Sequence, residues 1–119
     1  MVRAKLLREG IKPFINWTAF FVMCSVYILF SEKLDKFYIG SSSNVQIRLQ
    51  QHNSTENEHW SKTGAPWILK AEIVFDSVNQ ARKAEYVIKS KKKRSFVELV
   101  IEKQKDEEFI TWLKIKSSE

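Results

Sequence analysis

Cys24-Ser25-Val26-Tyr27-Ile28-Leu29-Phe30, followed across a short polar break by Phe37-Tyr38-Ile39-Gly40-Ser41, is the stretch on which the fold turns. Both runs are apolar and rich in β-branched and aromatic residues. The break, Ser31-Glu32-Lys33-Leu34-Asp35-Lys36, is charged and has turn composition. Two such runs joined by a short polar loop predict an antiparallel hairpin. Pairing Leu29 with Lys36 sets Tyr27 opposite Tyr38. Side chains alternate between sheet faces, so both phenols are expected on one face, a few ångströms apart.

Working outward, Ser41-Ser42-Ser43-Asn44 is a turn cluster, with Ser43 or Asn44 suited to cap a helix. Val45 to His52 carries Val45 and Leu49 at helical spacing, and Arg48 and His52 share a neighbouring face. Asn53 to Pro66 is polar and reads as a loop. Trp67 to Phe75 is a third strand, mostly apolar and expected to be buried on both faces for much of its length. Asp76 or Ser77 then caps a helix over 78–90, whose core stripe is Ala81, Ala84 and Ile88. Lys91 to Lys93 interrupts the pattern. A further helix over 95–104 is expected to bury Phe96, Leu99 and Val100. Phe109, Trp112 and Leu113 fall at helical spacing in the tail. The fold class is therefore α/β (α+β), a small three-stranded antiparallel sheet flanked by helices.

Composition narrows the function. A chain of 119 residues that is 44% hydrophobic and 29% charged is an ordinary globular domain. One cysteine, Cys24, excludes an internal disulfide and any multi-cysteine metal site, which points to a reducing, cytoplasmic setting. Cys24 itself reads as a small core residue. The net charge of +6 is carried entirely between Arg82 and Arg94, where seven basic residues accompany the single acid Glu85. Such a stripe suits a polyphosphate partner, because binding releases counterions. It is equally the composition of a solvated helix end.

The N-terminus is basic up to Lys12, and Phe14 to Phe30 has no charged residue. A membrane anchor has this pattern, but the run is at the short limit for a span and its second half makes a good strand. The expectation is an N-terminal extension over 1–23, with a helix near 2–9, that packs Phe14, Trp17, Phe20 and Phe21 on the domain. Met23 is a candidate natural start. The domain proper is expected over 24–104, followed by a helical tail over 105–119.

The order strand, strand, helix, strand, helix, with Val26-Tyr27-Ile28-Leu29, Phe37-Tyr38-Ile39-Gly40-Ser41, Asn44-Val45, Arg48-Leu49, His52-Asn53, Gly64-Ala65-Pro66-Trp67 and Ala81 through Glu85 to Lys89, resembles the GIY-YIG nuclease superfamily. Within it, the chain is similar to small stand-alone members and to the N-terminal domain of the bacterial excision-repair nuclease. The glycine that opens the first family motif is Val26 here.

The resemblance implies a metal-dependent endonuclease that hydrolyses DNA phosphodiester bonds in repair or recombination, with branched or damaged DNA among the expected substrates. Tyr27 would take a proton from water or contact the base that does, and Tyr38 would orient the nucleophile or phosphate. Arg48 would bind the phosphate with its fixed fork. His52 would accept or relay a proton, and Glu85 would anchor Mg²⁺ or Mn²⁺. Lys89, Lys91, Lys92, Lys93 and Arg94 are the expected nucleic-acid contacts. A second reading keeps the fold and the basic stripe as a non-catalytic nucleic-acid-binding module. No small-molecule cofactor is expected, and oligomeric state is left open.

Overall fold

Hydrogen-bonding demand settles the sheet first. The structure, a computed structural model, describes residues 22–118. The expected helix near 2–9 and the packing of Phe14, Trp17, Phe20 and Phe21 lie outside the described residues. Strands β1 (Cys24–Ser31), β2 (Lys36–Ser42) and β3 (Trp67–Phe75) form one antiparallel sheet in the order β2-β1-β3. The three-stranded α/β architecture expected from the pattern is the one observed. β1 is central and buried on nearly every residue, whereas β2 and β3 are edges.

Two expectations about the strands need correction. Tyr27 pairs with Gly40, and Tyr38 pairs with Leu29. The actual register lies two residues from the expected one. Because the side-chain period is also two, both phenols stay on the same face. β3 is not buried on both faces either: Ile68, Lys70, Glu72 and Val74 are exposed. It is an edge strand, and its odd-numbered positions feed two different cores. Ile28 pairs with Ala71 but Leu29 pairs with Leu69, so Lys70 is an extra residue that forms a bulge. The bulge flips the alternation: Trp67 and Leu69 face one side, and Ala71, Ile73 and Phe75 face the other. The Gln104 side chain patches the interrupted edge, donating to the Lys70 carbonyl at 2.9 Å and accepting from the Glu72 N–H at 3.3 Å.

Among the described residues four α-helices flank the sheet: α1 (Val45–Asn53), α2 (Val78–Ser90), α3 (Arg94–Glu102) and α4 (Glu107–Ser117). Asn44 caps α1 by accepting from the Ile47 N–H, Ser77 caps α2 through the Gln80 N–H, and Asp106 caps α4 through the Phe109 N–H. On one face of the sheet α2, α3 and α4 enclose the main core of Val26, Ile28, Ile73, Phe75, Ala81, Ala84, Ile88, Val97, Val100 and Leu113. Val26 is 1% exposed within that core, so a β-branched side chain is accommodated where the resembled motif opens with glycine. In α3, Leu99 faces outward and Val97 is buried in its stead, because the packing of the helix on the sheet selects the inward face. Among the described residues no helix is long and apolar enough to cross a membrane.

On the opposite face α1 packs a smaller core of Tyr27, Leu29, Val45 and Trp67. The segment expected to be a polar loop is partly ordered as a 3-10 helix, Trp60–Gly64, with Asn57, Ser61 and Gly64 buried. Asn53 docks the end of α1 onto the start of β3. Its amide accepts from the Trp67 N–H at 2.6 Å and donates to the Trp67 carbonyl at 3.1 Å, as a neighbouring strand residue would.

Candidate active site

The smaller face presents the aromatic surface from which the site is built. Tyr27 is 1% exposed, and its ring lies across Gly40 on the neighbouring strand. A Cβ at residue 40 would sit 2.6 Å from the Tyr27 Oη, so only a glycine leaves room for the ring. Tyr38 stacks diagonally on Tyr27, centroid to centroid 6.2 Å, and its ring lies 4.5 Å from the His52 imidazole. Trp60 and Trp67 flank Tyr38 at 5.9 and 6.0 Å. Trp67 is buried, while Trp60 is 58% exposed and forms an open aromatic rim.

α1 supplies two polar groups to this surface, because residues four apart project from one side of a helix. His52 Nε2 lies 3.1 Å from the Tyr27 Oη. The Arg48 guanidinium is near enough to the Tyr27 hydroxyl, and to Tyr38 beyond it, for them to hold its pKa above the ordinary arginine value. It also donates to the Gln51 Oε1 at 3.2 Å. Burial pushes the Tyr27 phenol above its ordinary pKa; Arg48 partly offsets this, and the charges of Tyr38 and Glu85 add to it. Burial lowers the His52 pKa, and the positive charges of Arg48 and His59 lower it further. Both effects favour the neutral imidazole. A cleft of about 420 Å³ runs past Arg48 and His52 to His59.

Glu85 arrives from α2, on the other face, and reaches the end of β2. The Ser41 hydroxyl donates to its Oε1 at 2.8 Å and the Lys89 ammonium to its Oε2 at 2.6 Å. The carboxylate is close enough for its charge to bear on the Tyr27 phenol. Among the described residues no three His, Cys, Asp or Glu side chains cluster as a metal cage. A lone carboxylate beside a hydroxyl still fits Mg²⁺ or Mn²⁺, which keep several waters and take further oxygens from a phosphate; it does not fit a closed Zn²⁺ site.

The basic stripe is divided among local tasks. Lys89 pairs with Glu85. Lys91 sits over the rings of Phe96 and Trp112 at 5.8 and 5.9 Å. Arg94 bridges Asp35 and Glu98 and covers Phe30 and Phe37. Lys92 and Lys93 are exposed and line a cleft of about 350 Å³ with Phe37, Ile39 and Lys89.

The structure thus brings Tyr27, Tyr38, Arg48 and His52 together, sets Glu85 at their margin, and places Lys91 to Arg94 elsewhere. Three residues next to the site escaped the sequence reading: Asn57, Ser61 and Trp60. The last two lie just ahead of Gly64-Ala65-Pro66-Trp67, and that adjacency was the one available signal.

A family model for the GIY-YIG catalytic domain matches residues 23–98. The chain belongs to the GIY-YIG family. It is also 32% identical, over 56 residues, to a UPF0213 protein of Staphylococcus haemolyticus strain JCSC1435, which covers 47% of this chain and 68% of that protein. GIY-YIG is a nuclease-type family whose enzymes act on DNA and typically depend on a divalent metal.

Proposed function

We propose that the protein is a divalent-metal-dependent endonuclease that hydrolyses DNA phosphodiesters, with Tyr27, Tyr38, Arg48 and His52 as the reacting surface and Glu85 as the metal anchor. The observation that carries this reading is the environment of one atom, the Tyr27 Oη. It is held by His52 at 3.1 Å, faced by Arg48, and acted on by the Glu85 charge.

In the reaction Tyr27 first gives up its phenolic proton to solvent; a water oxygen then attacks phosphorus while one water O–H bond breaks and its proton passes to the Tyr27 phenolate. The P–O bond on the far side breaks, and the departing oxygen takes a proton from solvent. Arg48 favours the phenolate and then stabilises the charge that builds on the phosphoryl oxygens. Tyr38, half-buried beside Tyr27, donates a hydrogen bond that orients the phosphate. Glu85 would hold a divalent cation, which supplies charge neutralisation at the leaving oxygen. Lys92 and Lys93 contribute sequence-independent attraction to the backbone. Repair or recombination intermediates with unpaired bases suit the open aromatic rim at Trp60, because an exposed indole stacks on any base.

The test is Mg²⁺-dependent nicking of supercoiled plasmid and of branched DNA by the wild type, Tyr27→Phe, Arg48→Ala and Glu85→Ala. Cleavage by the wild type alone is expected, with losses of a hundredfold or more in each variant, on the order seen when one charge-stabilising donor is removed. Equal activity in all four proteins would overturn the reading. Salt-sensitive binding without any cleavage would leave the binding-module alternative in its place.

A further inference from the structure

Behind the reacting surface lies a second tier of polar groups, Asn57 and Ser61, both buried. Their hydrogen bonds have a direction that can be worked out from the backbone, without reference to any assigned proton. The main-chain N–H of His59 can only donate, and it meets Asn57 Oδ1 at 2.8 Å. The main-chain carbonyl of His52 can only accept, and it meets Asn57 Nδ2 at 3.1 Å. These two contacts fix the orientation of the Asn57 amide. The remaining Nδ2 hydrogen points at Ser61 Oγ, 2.9 Å away, so the serine oxygen accepts there.

Ser61 is 2% exposed, so its hydroxyl hydrogen needs a protein acceptor, and His52 Nδ1 at 3.1 Å is the acceptor it meets among the described residues. A ring nitrogen that accepts carries no proton. A neutral His52 must hold its proton on Nε2, and Nε2 is the atom 3.1 Å from the Tyr27 Oη.

We propose that Asn57 and Ser61 are positioning residues that set the His52 tautomer, so that the imidazole donates to Tyr27 instead of accepting from it. The 3-10 helix holds the serine in place: the Trp67 indole N–H donates to the Ser61 carbonyl at 2.6 Å, which pins its backbone to β3. The lowered pKa of His52 is consistent, since a neutral ring is needed for a tautomer to matter.

The catalytic consequence follows from the direction. When Nε2–H donates to Tyr27, the phenol hydrogen points toward the substrate side, from which it can leave to solvent, and the phenolate left behind, which takes the water proton, gains a donor. With the relay reversed, the Tyr27 hydrogen would be locked inward on the imidazole. This consequence rests on the proposed proton-accepting role of Tyr27; the tautomer itself does not.

The experiment is nitrogen NMR of the full chain labelled in its histidines, at a pH above the His52 transition, with His59→Gln used to assign the two rings. In the wild type His52 is expected to show a bare Nδ1 and a protonated Nε2. Ser61→Ala removes the donor to Nδ1, and a mixture of tautomers is expected. Asn57→Asp replaces the donor amide with an acceptor, so the serine hydrogen turns toward residue 57 and Nδ1 becomes the protonated nitrogen. Ser61→Thr keeps the hydroxyl and should keep the wild-type tautomer even if stability changes. In cleavage assays Ser61→Ala and Asn57→Asp should lower kcat by roughly tenfold to a hundredfold with KM little altered, and Ser61→Thr should restore it. A wild-type His52 protonated on Nδ1, or a Ser61→Ala spectrum identical to the wild type, would overturn the assignment. A wild type with the expected tautomer but no cleavage of DNA would support the assignment and remove the nuclease reading instead.

Discussion

Replacing Gly40 with alanine isolates the contact on which the reacting surface is built. Gly40 lies opposite Tyr27 and no glycine among the described residues has positive φ, so the backbone itself tolerates a side chain at this position. What resists is the phenol: the new Cβ would lie 2.6 Å from its Oη, 2.7 Å from Cζ and 3.1 Å from Cε1. Carbon atoms are comfortable at about 3.5–4.0 Å, so the ring must retreat by roughly 1 Å. A shift of that size takes the Oη out of hydrogen-bond range of His52 or crowds it into the imidazole. Overpacking costs about 1–3 kcal/mol and the disturbed hydrogen bond about 0.5–1.5 kcal/mol. Against this, alanine in place of a strand glycine returns about 0.5–1 kcal/mol. The net expectation is a destabilisation of about 1–3 kcal/mol, or a fall in Tm of roughly 5–20 °C for a domain of this size. The decisive assay is urea denaturation of a double-mutant cycle with Tyr27→Ala. Without the ring, Gly40→Ala should be neutral or stabilising by up to about 1 kcal/mol, so the sign of its effect depends on residue 27. A Gly40→Ala variant that is more stable than the wild type, or that costs the same in both backgrounds, would refute the steric account.

Other expectations follow from the same geometry. Because burial lowers the His52 pKa below its ordinary 6.5, the unfolded chain binds the proton more readily. The associated stability is present above pH 6.5 and is lost as pH falls toward the folded value, and His52→Gln should flatten that dependence in denaturation curves recorded from pH 5 to 8. Since Tyr27 is held above 10, cleavage should accelerate with pH through the neutral and alkaline range, and a rate that falls over pH 7–9 would contradict its role as the base. Asn53→Ala leaves the Trp67 N–H and carbonyl without their partner and should cost about 1–3 kcal/mol in urea, with Asn53→Asp recovering part of it by keeping the acceptor. Lys92→Ala with Lys93→Ala should weaken DNA binding equally across sequences and reduce the salt slope by about 1 for each lysine that touches a phosphate, measured by fluorescence titration.

Much of the fold was legible because it depends on local pattern. The β-prone runs around Tyr27 and Tyr38, the capping residues Asn44 and Ser77, and the Ala81-Ala84-Ile88 stripe each announce their element within a few residues. The helical spacing of Arg48 and His52 likewise put both on one side of α1, and the structure has them meet the phenols. Less legible was anything that depends on where one element meets another. The hairpin turn, with Asp35 at φ 53°, sets a register two residues from the expected one. The bulge at Lys70 reflects the fit of β3 to both cores, and no residue there advertises it. Leu99 and Val97 exchange places because the packing of α3 on the sheet, not its composition, chooses which side is inward.

The chain's own chemistry, then, decided which elements form and which groups are available: two strand tyrosines, a helix bearing an arginine and a histidine, one acid among lysines. Periodicity is a short-range property, and it survives being read one segment at a time. Tertiary packing alone decided that Gly40 yields its space to a phenol, that a serine and an asparagine from an apparently featureless loop sit behind the imidazole, and that Glu85 reaches the site from the other face of the sheet. Those outcomes depend on distances between residues far apart in the chain, and such distances exist only once β1 is buried between its two neighbours.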